Sequence, residues 1–109
     1  MKKPVSNDVL EFIKSCVRQG KIHWTYHVNM RLKGRFIPRE IIFSSVDTYK
    51  LIEEYPKDKY LPSYLIYARY VNKVIHIQIA VDLENDRVIV VTAYAPTLDK
   101  WKEDFKTRR

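Results

Sequence analysis

The spacing of apolar residues divides the chain into a helical first part and an alternating second part. In residues 7–19, five apolar positions repeat at i, i+3, i+4, i+7 and i+8, which predicts an amphipathic helix. These positions are Val9, Phe12, Ile13, Cys16 and Val17. Gly20 follows at the place where a glycine commonly ends a helix, so we expect the first helix to stop there.

Two shorter helices are predicted before the pattern changes. Thr25 is a good N-cap because its hydroxyl can accept a hydrogen bond from a free N–H in the first turn. A second helix is therefore expected over residues 26–33, ending near Gly34. Pro38 suits the first position of a third helix because its fixed φ matches the helical value, and this helix is expected to run to about Val46.

From residue 49 onward apolar and polar residues alternate, which is typical of strands with one buried face. The predicted strands are residues 49–55, 63–71, 74–83 and 87–94. A short terminal helix is expected over residues 98–106. The predicted fold is therefore an α+β domain spanning residues 1–109, with two to three N-terminal helices packed on a four-stranded antiparallel sheet and a short C-terminal helix.

The central hairpin of this sheet has one apolar face and one polar face. A two-residue turn at Asn72-Lys73 would pair Arg69 with His76, both on the polar face. The other face should pack on the helices, since a one-residue slip of register would bury the polar set instead. The apolar face consists of Tyr64, Ile66, Ala68, Tyr70, Ile75, Ile77, Ile79 and Val81.

Charge narrows the choice of partner. The formal net charge is +7, and no acidic residue occurs from Phe12 to Arg39, a window that holds seven lysines and arginines. Such a stretch favours a polyanion such as RNA, although a solvated basic face without a specific partner has the same pattern. The lone Cys16 lies on the apolar stripe, and no secretory or membrane segment is evident, so the cytoplasm is the expected compartment.

His27 and Arg31 stand four residues apart, so a helix over residues 26–33 would place them one turn above the other. There they would interrupt an apolar arc, which indicates either a functional site or a buried polar pair. His23 and His27 have the spacing of two zinc ligands, but Thr25 places His23 outside the helix and no third ligand is evident. No metal site and no cofactor are therefore predicted.

Histidine, arginine and tyrosine on a basic domain are sufficient for RNA cleavage without a metal. The RNA's own 2′-hydroxyl is the nucleophile, and His27 and His76 are candidates for base and acid because histidine titrates near neutral pH. Arg31 is the candidate cation for the charge on the phosphorane. The RNA-binding candidates supply cations or stacking surfaces for unpaired bases. They are Lys21, Trp24, Tyr26, Arg35 and Arg69.

Several motifs together resemble a family of small prokaryotic domains of unknown function. The motifs are Trp24-Thr25-x-His27-x-x-x-Arg31, Ile75-His76-Ile77, Val91-Thr92-x-Tyr94-x-Pro96, and then Trp101 and Arg108. That family resembles the RelE-like toxins, in the fold group of barnase, EndoU, colicin-type and RelE-like ribonucleases. The resemblance implies helices followed by a four-stranded sheet, ribonuclease activity and an antitoxin protein as partner. It adds Thr92 and Tyr94 to the catalytic candidates.

Two hypotheses of different classes follow. In the first, the protein is a metal-independent ribonuclease whose catalytic residues meet in one pocket beside the second helix. The predicted pocket combines His27, Arg31, Thr92 and Tyr94. Arg69 and His76 are expected on the opposite face of the sheet. In the second, the protein is a non-catalytic module that binds RNA or a protein partner through the same basic surface.

Overall fold

Three helices cover one face of a five-stranded sheet in the computed structural model, which describes residues 6–109. The helices are α1 (Ser6–Gln19), α2 (Tyr26–Gly34) and α3 (Arg39–Ser44), with a short 3-10 turn at Val46–Thr48. The strands are β1 (Ile22–Trp24), β2 (Lys50–Tyr55), β3 (Ser63–Tyr70), β4 (Lys73–Asp82) and β5 (Arg87–Tyr94). The apolar stripe of α1 and the inward residues of the sheet form one buried core, so the predicted α+β class is confirmed for these residues.

The order of the strands is β1-β5-β4-β3-β2. Strands β2 to β5 are antiparallel in sequential order, as the alternating pattern predicts. The prediction of four strands was wrong, because β1 adds a fifth strand that pairs in parallel with β5, from Ile22 opposite Val88 to Trp24 opposite Val90. A strand of three residues is too short to show an alternating pattern, so its pairing depends on the neighbour that it meets.

Helix α2 begins as predicted, because Thr25 Oγ1 accepts a hydrogen bond from the Val28 N–H at 3.1 Å. Val28 and Leu32 are buried against the core. Helix α3 is shorter than expected, since Pro38 is its N-cap and it ends at Ser44. The buried apolar residues of α2 form only a narrow stripe. The wider apolar arc expected around His27 and Arg31 does not form.

The C-terminal end of α2 is a Schellman motif. The Ile37 N–H donates to Leu32 O at 2.9 Å and the Phe36 N–H donates to Lys33 O at 3.2 Å. Phe36 has a φ of 57°, the left-handed value that glycine commonly adopts in this motif. The left-handed residue thus lies two positions beyond Gly34, and a large aromatic side chain occupies it.

The faces of the β3–β4 hairpin are those predicted, but its register differs by two residues. The turn is centred on Val71 and Asn72, so Tyr67 lies opposite His76 and Arg69 lies opposite Val74. A shift of two keeps every side chain on its face because the side-chain period of a strand is two. The predicted pairing of Arg69 with His76 was therefore wrong, although both residues remain on the outer face.

A bulge in β5 changes where its last residues point. Ile79 pairs with Val90, but Gln78 pairs with Thr92, which leaves Val91 without a partner on β4. One extra residue inverts the alternation beyond it. Thr92 and Tyr94 therefore lie on the outer face of the sheet with His76, and the prediction that His76 lies on the face opposite to these two residues was wrong.

The chain after β5 is not helical. Residues 97–109 form turns closed by a bridge between Trp101 and Arg108, with the Lys102 N–H donating to Thr107 O at 2.8 Å. Trp101 is buried and packs on the outer face of the sheet against His76. The expected C-terminal helix was wrong, because the aromatic side chains here serve a covering loop instead of a helical stripe. The outer face is consequently covered in part.

Candidate nucleic-acid interface

The exposed side of α2 and the turn after it present cations and aromatic rings together. We call this surface the basic aromatic face. Its members are Tyr26, His27, Arg31, Lys33, Arg35, Phe36 and Arg39, all of them exposed. Phe36 and Tyr26 are 91% and 73% exposed, which is unusual for large rings. This face lies within the stretch of sequence that contains no acidic residue.

His27 and Arg31 lie on the exposed part of this face. The His27 ring meets the Tyr26 ring edge-on at 6.1 Å. Within the described residues neither His27 nor Arg31 makes a side-chain hydrogen bond or an ion pair. The predicted pocket that joins them to Thr92 and Tyr94 does not form, because those two residues lie on the outer side of the sheet.

Arg35 joins the basic aromatic face to the edge of the sheet. Its Nη1 donates to Thr92 Oγ1 at 3.0 Å and to Ala93 O at 2.8 Å. Strand β1 pairs with β5 only as far as Val90, so Arg35 reaches the edge that β1 leaves uncovered. The turn that follows α2 is thereby tied to β5.

Trp24 and Arg39 form a second fixed pair on the same side of the molecule. The Arg39 guanidinium lies 4.5 Å from the Trp24 ring centroid, and the Phe43 ring lies 6.0 Å from it. Arg39 Nε also donates to Asn29 Oδ1 at 3.2 Å. The Trp24 ring is half-buried, so much of its surface is already occupied by the protein.

Two predicted RNA-binding residues lie elsewhere. Lys21 precedes β1 and pairs with Asp86 at 2.6 Å, so its charge is partly neutralised. Arg69 is exposed near the end of β3, where its backbone N–H donates to Thr48 Oγ1 at 2.8 Å. Neither belongs to the basic aromatic face. Phe36, Lys33 and Arg39 do belong to it and were missed, although the acid-free window pointed to their surroundings.

The predicted catalytic residues His76 and Tyr94 belong to a different region, which we call the His76 cluster. Its members are His76, Tyr94, Trp101, Phe105, Glu53 and Arg108. His76 is fully buried, with its ring 4.4 Å from the Trp101 ring. His76 Nε2 lies 2.6 Å from Phe105 O, and Nδ1 lies 3.2 Å from the Tyr94 hydroxyl.

These contacts define the state of His76. A carbonyl oxygen can only accept, so Nε2 carries the proton and Nδ1 accepts a hydrogen bond from Tyr94. Burial lowers the pKa of His76 below its ordinary value of 6.5, which the bond to Phe105 and the charge of Glu53 partly oppose. The ring is therefore neutral near pH 7, and both of its nitrogens are already used inside the protein.

Glu53 and Arg108 close the edge of this cluster. Arg108 donates two hydrogen bonds to the Glu53 carboxylate, at 2.7 and 3.1 Å. The hydrogen bond from Arg108 lowers the pKa of Glu53. The Arg108 guanidinium also lies 4.5 Å from the Trp101 ring, so the last residues of the chain hold the covering loop in place. Sequence reasoning missed Glu53, since an acidic residue on a strand carries no signal of its partner.

Among the residues that the structure describes, no three histidine, cysteine, aspartate or glutamate side chains are grouped as potential metal ligands. None of the helices in this part of the chain combines the length and the apolar character that crossing a membrane requires.

Comparison with known families gives one result. A family profile described as "Domain of unknown function (DUF4258)" matches residues 24–95. The chain belongs to this family. The DUF4258 match begins at Trp24 and includes α2, α3 and β2 to β5, and therefore contains the whole basic aromatic face and, of the His76 cluster, Glu53, His76 and Tyr94. Neither the curated proteins nor the solved structures contain a match to the chain.

Proposed function

We propose that this DUF4258 protein binds single-stranded RNA through the basic aromatic face. One observation carries the proposal: exposed basic residues and two highly exposed aromatic rings occur together on α2 and the turn after it. Proteins that bind single strands combine cations that follow the phosphates with rings on which unpaired bases stack. A duplex offers phosphates but hides its base faces, so the two exposed rings favour an unpaired strand.

The second candidate function is cleavage of the bound RNA, as the resemblance to RelE-like toxins implies. The observation in its favour is the position of His27, which is exposed beside Arg31 on the same face and makes no side-chain hydrogen bond to another described residue. His27 could take the proton of the 2′-hydroxyl as that oxygen attacks the phosphorus, while Arg31 stabilises the charge on the phosphorane. The 5′-oxygen would then leave with a proton from solvent.

A mechanism that uses two histidines is not proposed. His76 is buried on the far side of the sheet, with both ring nitrogens bonded to protein groups. Thr92 is engaged by Arg35, and Tyr94 by His76. If the chain is a toxin of this type, its antitoxin would be an acidic protein that covers the basic aromatic face and competes with RNA.

RNA binding is tested by titration of a labelled single-stranded oligonucleotide at several salt concentrations. Because each phosphate contact releases condensed counterions, the logarithm of the binding constant should fall linearly with the logarithm of the salt concentration. Several contacts should give a steep slope. A flat response would contradict the proposal and would favour a protein partner.

Cleavage is tested by comparing His27→Ala with His23→Ala. Both histidines are exposed, but His23 lies on β1 outside the α2 face. We expect His27→Ala to retain its fold and most of its RNA affinity while losing cleavage, and His23→Ala to cleave normally. Equal activity of the two variants, or no cleavage by the unaltered protein, would leave RNA binding as the function and remove the catalytic candidate.

A further inference from the structure

Phe36 departs from two ordinary preferences, that of a large apolar side chain for burial and that of a bulky residue for a negative φ. It is a large apolar residue that is 91% exposed, and its backbone has a φ of 57°. A bulky residue in the left-handed region is uncommon because its Cβ approaches the backbone too closely. Glycine would occupy this position of the Schellman motif without strain. The chain therefore bears a conformational cost here and recovers none of it by burying the ring.

The backbone around Phe36 is fixed. The two hydrogen bonds of the Schellman motif join Phe36 and Ile37 to the last turn of α2. Ile37 is buried in the core immediately after, and Arg35 is bonded to β5 immediately before. The ring is thus held out into solvent by a turn that is anchored on both sides, instead of projecting from a loose loop.

The charged residues nearest to Phe36 in the sequence are all basic. Lys33, Arg35 and Arg39 lie within three residues of it and are exposed. Within the described residues its ring stacks on no other ring or cation. The other rings of this side differ, because Trp24 is already packed against Arg39 and Tyr26 meets His27. Phe36 is the ring whose faces remain open among cations that can hold phosphates.

We propose that Phe36 is the base-stacking residue of this surface, and that it takes an unpaired nucleobase of RNA onto its ring. This role rests on the RNA-binding function proposed above and assigns the position at which a base leaves the strand's own stack. Phenylalanine has no hydrogen-bonding group, so it would accept any of the bases by its π-face. Anchoring the turn beforehand reduces the freedom that binding would otherwise have to remove.

The chain offers a matched control. Val71 is also apolar, is 79% exposed and has a φ of 56°, but it lies in the β3–β4 turn between the exposed Arg69 and Lys73, outside the basic aromatic face. Phe36→Gly and Val71→Gly each remove an exposed apolar side chain from a left-handed position. Both should fold, with midpoints of thermal unfolding that do not fall below that of the unaltered protein, because glycine relieves the backbone strain.

The measurement is the affinity for a labelled single-stranded RNA of about 12 nucleotides and for the duplex of the same sequence. We expect Phe36→Gly to bind the single strand about 10-fold more weakly at every salt concentration, with an unchanged salt slope, since stacking involves no counterion. Its duplex affinity and both affinities of Val71→Gly should not change. Phe36→Trp should restore single-strand affinity and Phe36→Leu should not.

Three results would overturn the role. If the unaltered protein binds RNA and Phe36→Gly binds it equally well, only the stacking role fails and the proposed function stands. If Phe36→Leu binds the single strand as tightly as the unaltered protein, an apolar contact is sufficient and stacking is wrong. If the unaltered protein does not bind RNA, the proposed function fails and the stacking role with it.

Discussion

The basic aromatic face and the His76 cluster use the same residue types in opposite ways. Both contain histidine, arginine and aromatic rings. In the His76 cluster each ring nitrogen of the histidine has a partner, and Arg108 is paired with a carboxylate. On the basic aromatic face His27 and Arg31 are exposed, and neither has a hydrogen bond or ion pair with another described side chain.

The difference shows that residue type alone does not identify a site. A buried polar group must be hydrogen-bonded, because leaving it unpaired costs free energy. The His76 cluster therefore has the arrangement of a structural network that fastens the C-terminal loop to the sheet. An exposed cation does not need a hydrogen-bond partner within the chain, so its partner can come from outside the chain.

The largest expected effect is the loss of Trp101. Trp101→Ala removes a fully buried ring that joins the covering loop to the sheet, so we expect unfolding free energy to fall by about 3–5 kcal/mol. Urea denaturation followed by circular dichroism measures it. Trp24→Ala is the matched control, since this tryptophan is only half-buried and its loss should lower the unfolding free energy by less. Equal losses of stability would end the distinction between the two regions.

A smaller loss of stability is expected when the pH is lowered. Because burial lowers the pKa of His76 in the folded state, the unfolded chain binds a proton more readily. The contribution of the neutral, buried His76 ring to stability is complete above the ordinary pKa of 6.5. It is lost progressively as the pH falls from there to the lowered pKa of the folded state.

The midpoint of thermal unfolding, measured at several pH values, checks this sign. The midpoint should decrease on mild acidification, before the carboxylates begin to titrate. A midpoint that stays constant or rises over this interval would show that His76 does not have the lowered pKa that its burial implies.

The smallest effect on stability is expected on the basic aromatic face. Arg31→Gln should change the unfolding free energy by less than about 0.5 kcal/mol, because Arg31 is exposed and unpaired among the described residues. It should nevertheless weaken RNA binding and reduce the salt slope by about 1. Arg108→Gln should do the reverse, with a loss of about 1 kcal/mol of stability and no change in slope. A reduced slope in Arg108→Gln would place RNA on the other region as well.

Local pattern predicted much of the fold. The i, i+3, i+4 repeat that begins with Val9, Phe12 and Ile13 placed α1, and the N-cap at Thr25 placed the start of α2. The alternation from residue 49 onward gave the four antiparallel strands and the apolar face of the central hairpin. These features follow from the sequence because helical and strand periods mark which side of a local element is buried.

The candidate site was predicted only in part. The acid-free window identified α2 as the cationic surface, and His27, Arg31 and Arg35 do lie on it. Phe36 was missed because its exposure depends on the exact residue at which α2 turns left-handed. That residue is chosen by the buried position of Ile37 and by the bonds of Arg35 to β5, which no local pattern contains.

The sequence by itself determined the three N-terminal helices, the alternating strands and the charge of one surface. Only the tertiary structure decided that β1 joins β5 in parallel, that the bulge at Val91 turns Thr92 and Tyr94 to the outer face, and that residues 97–109 cover His76. The physical reason is the range of the interactions. Periodicity reports burial within one element, whereas a short strand, an extra residue or a covering loop is stabilised by neighbours that are distant in sequence.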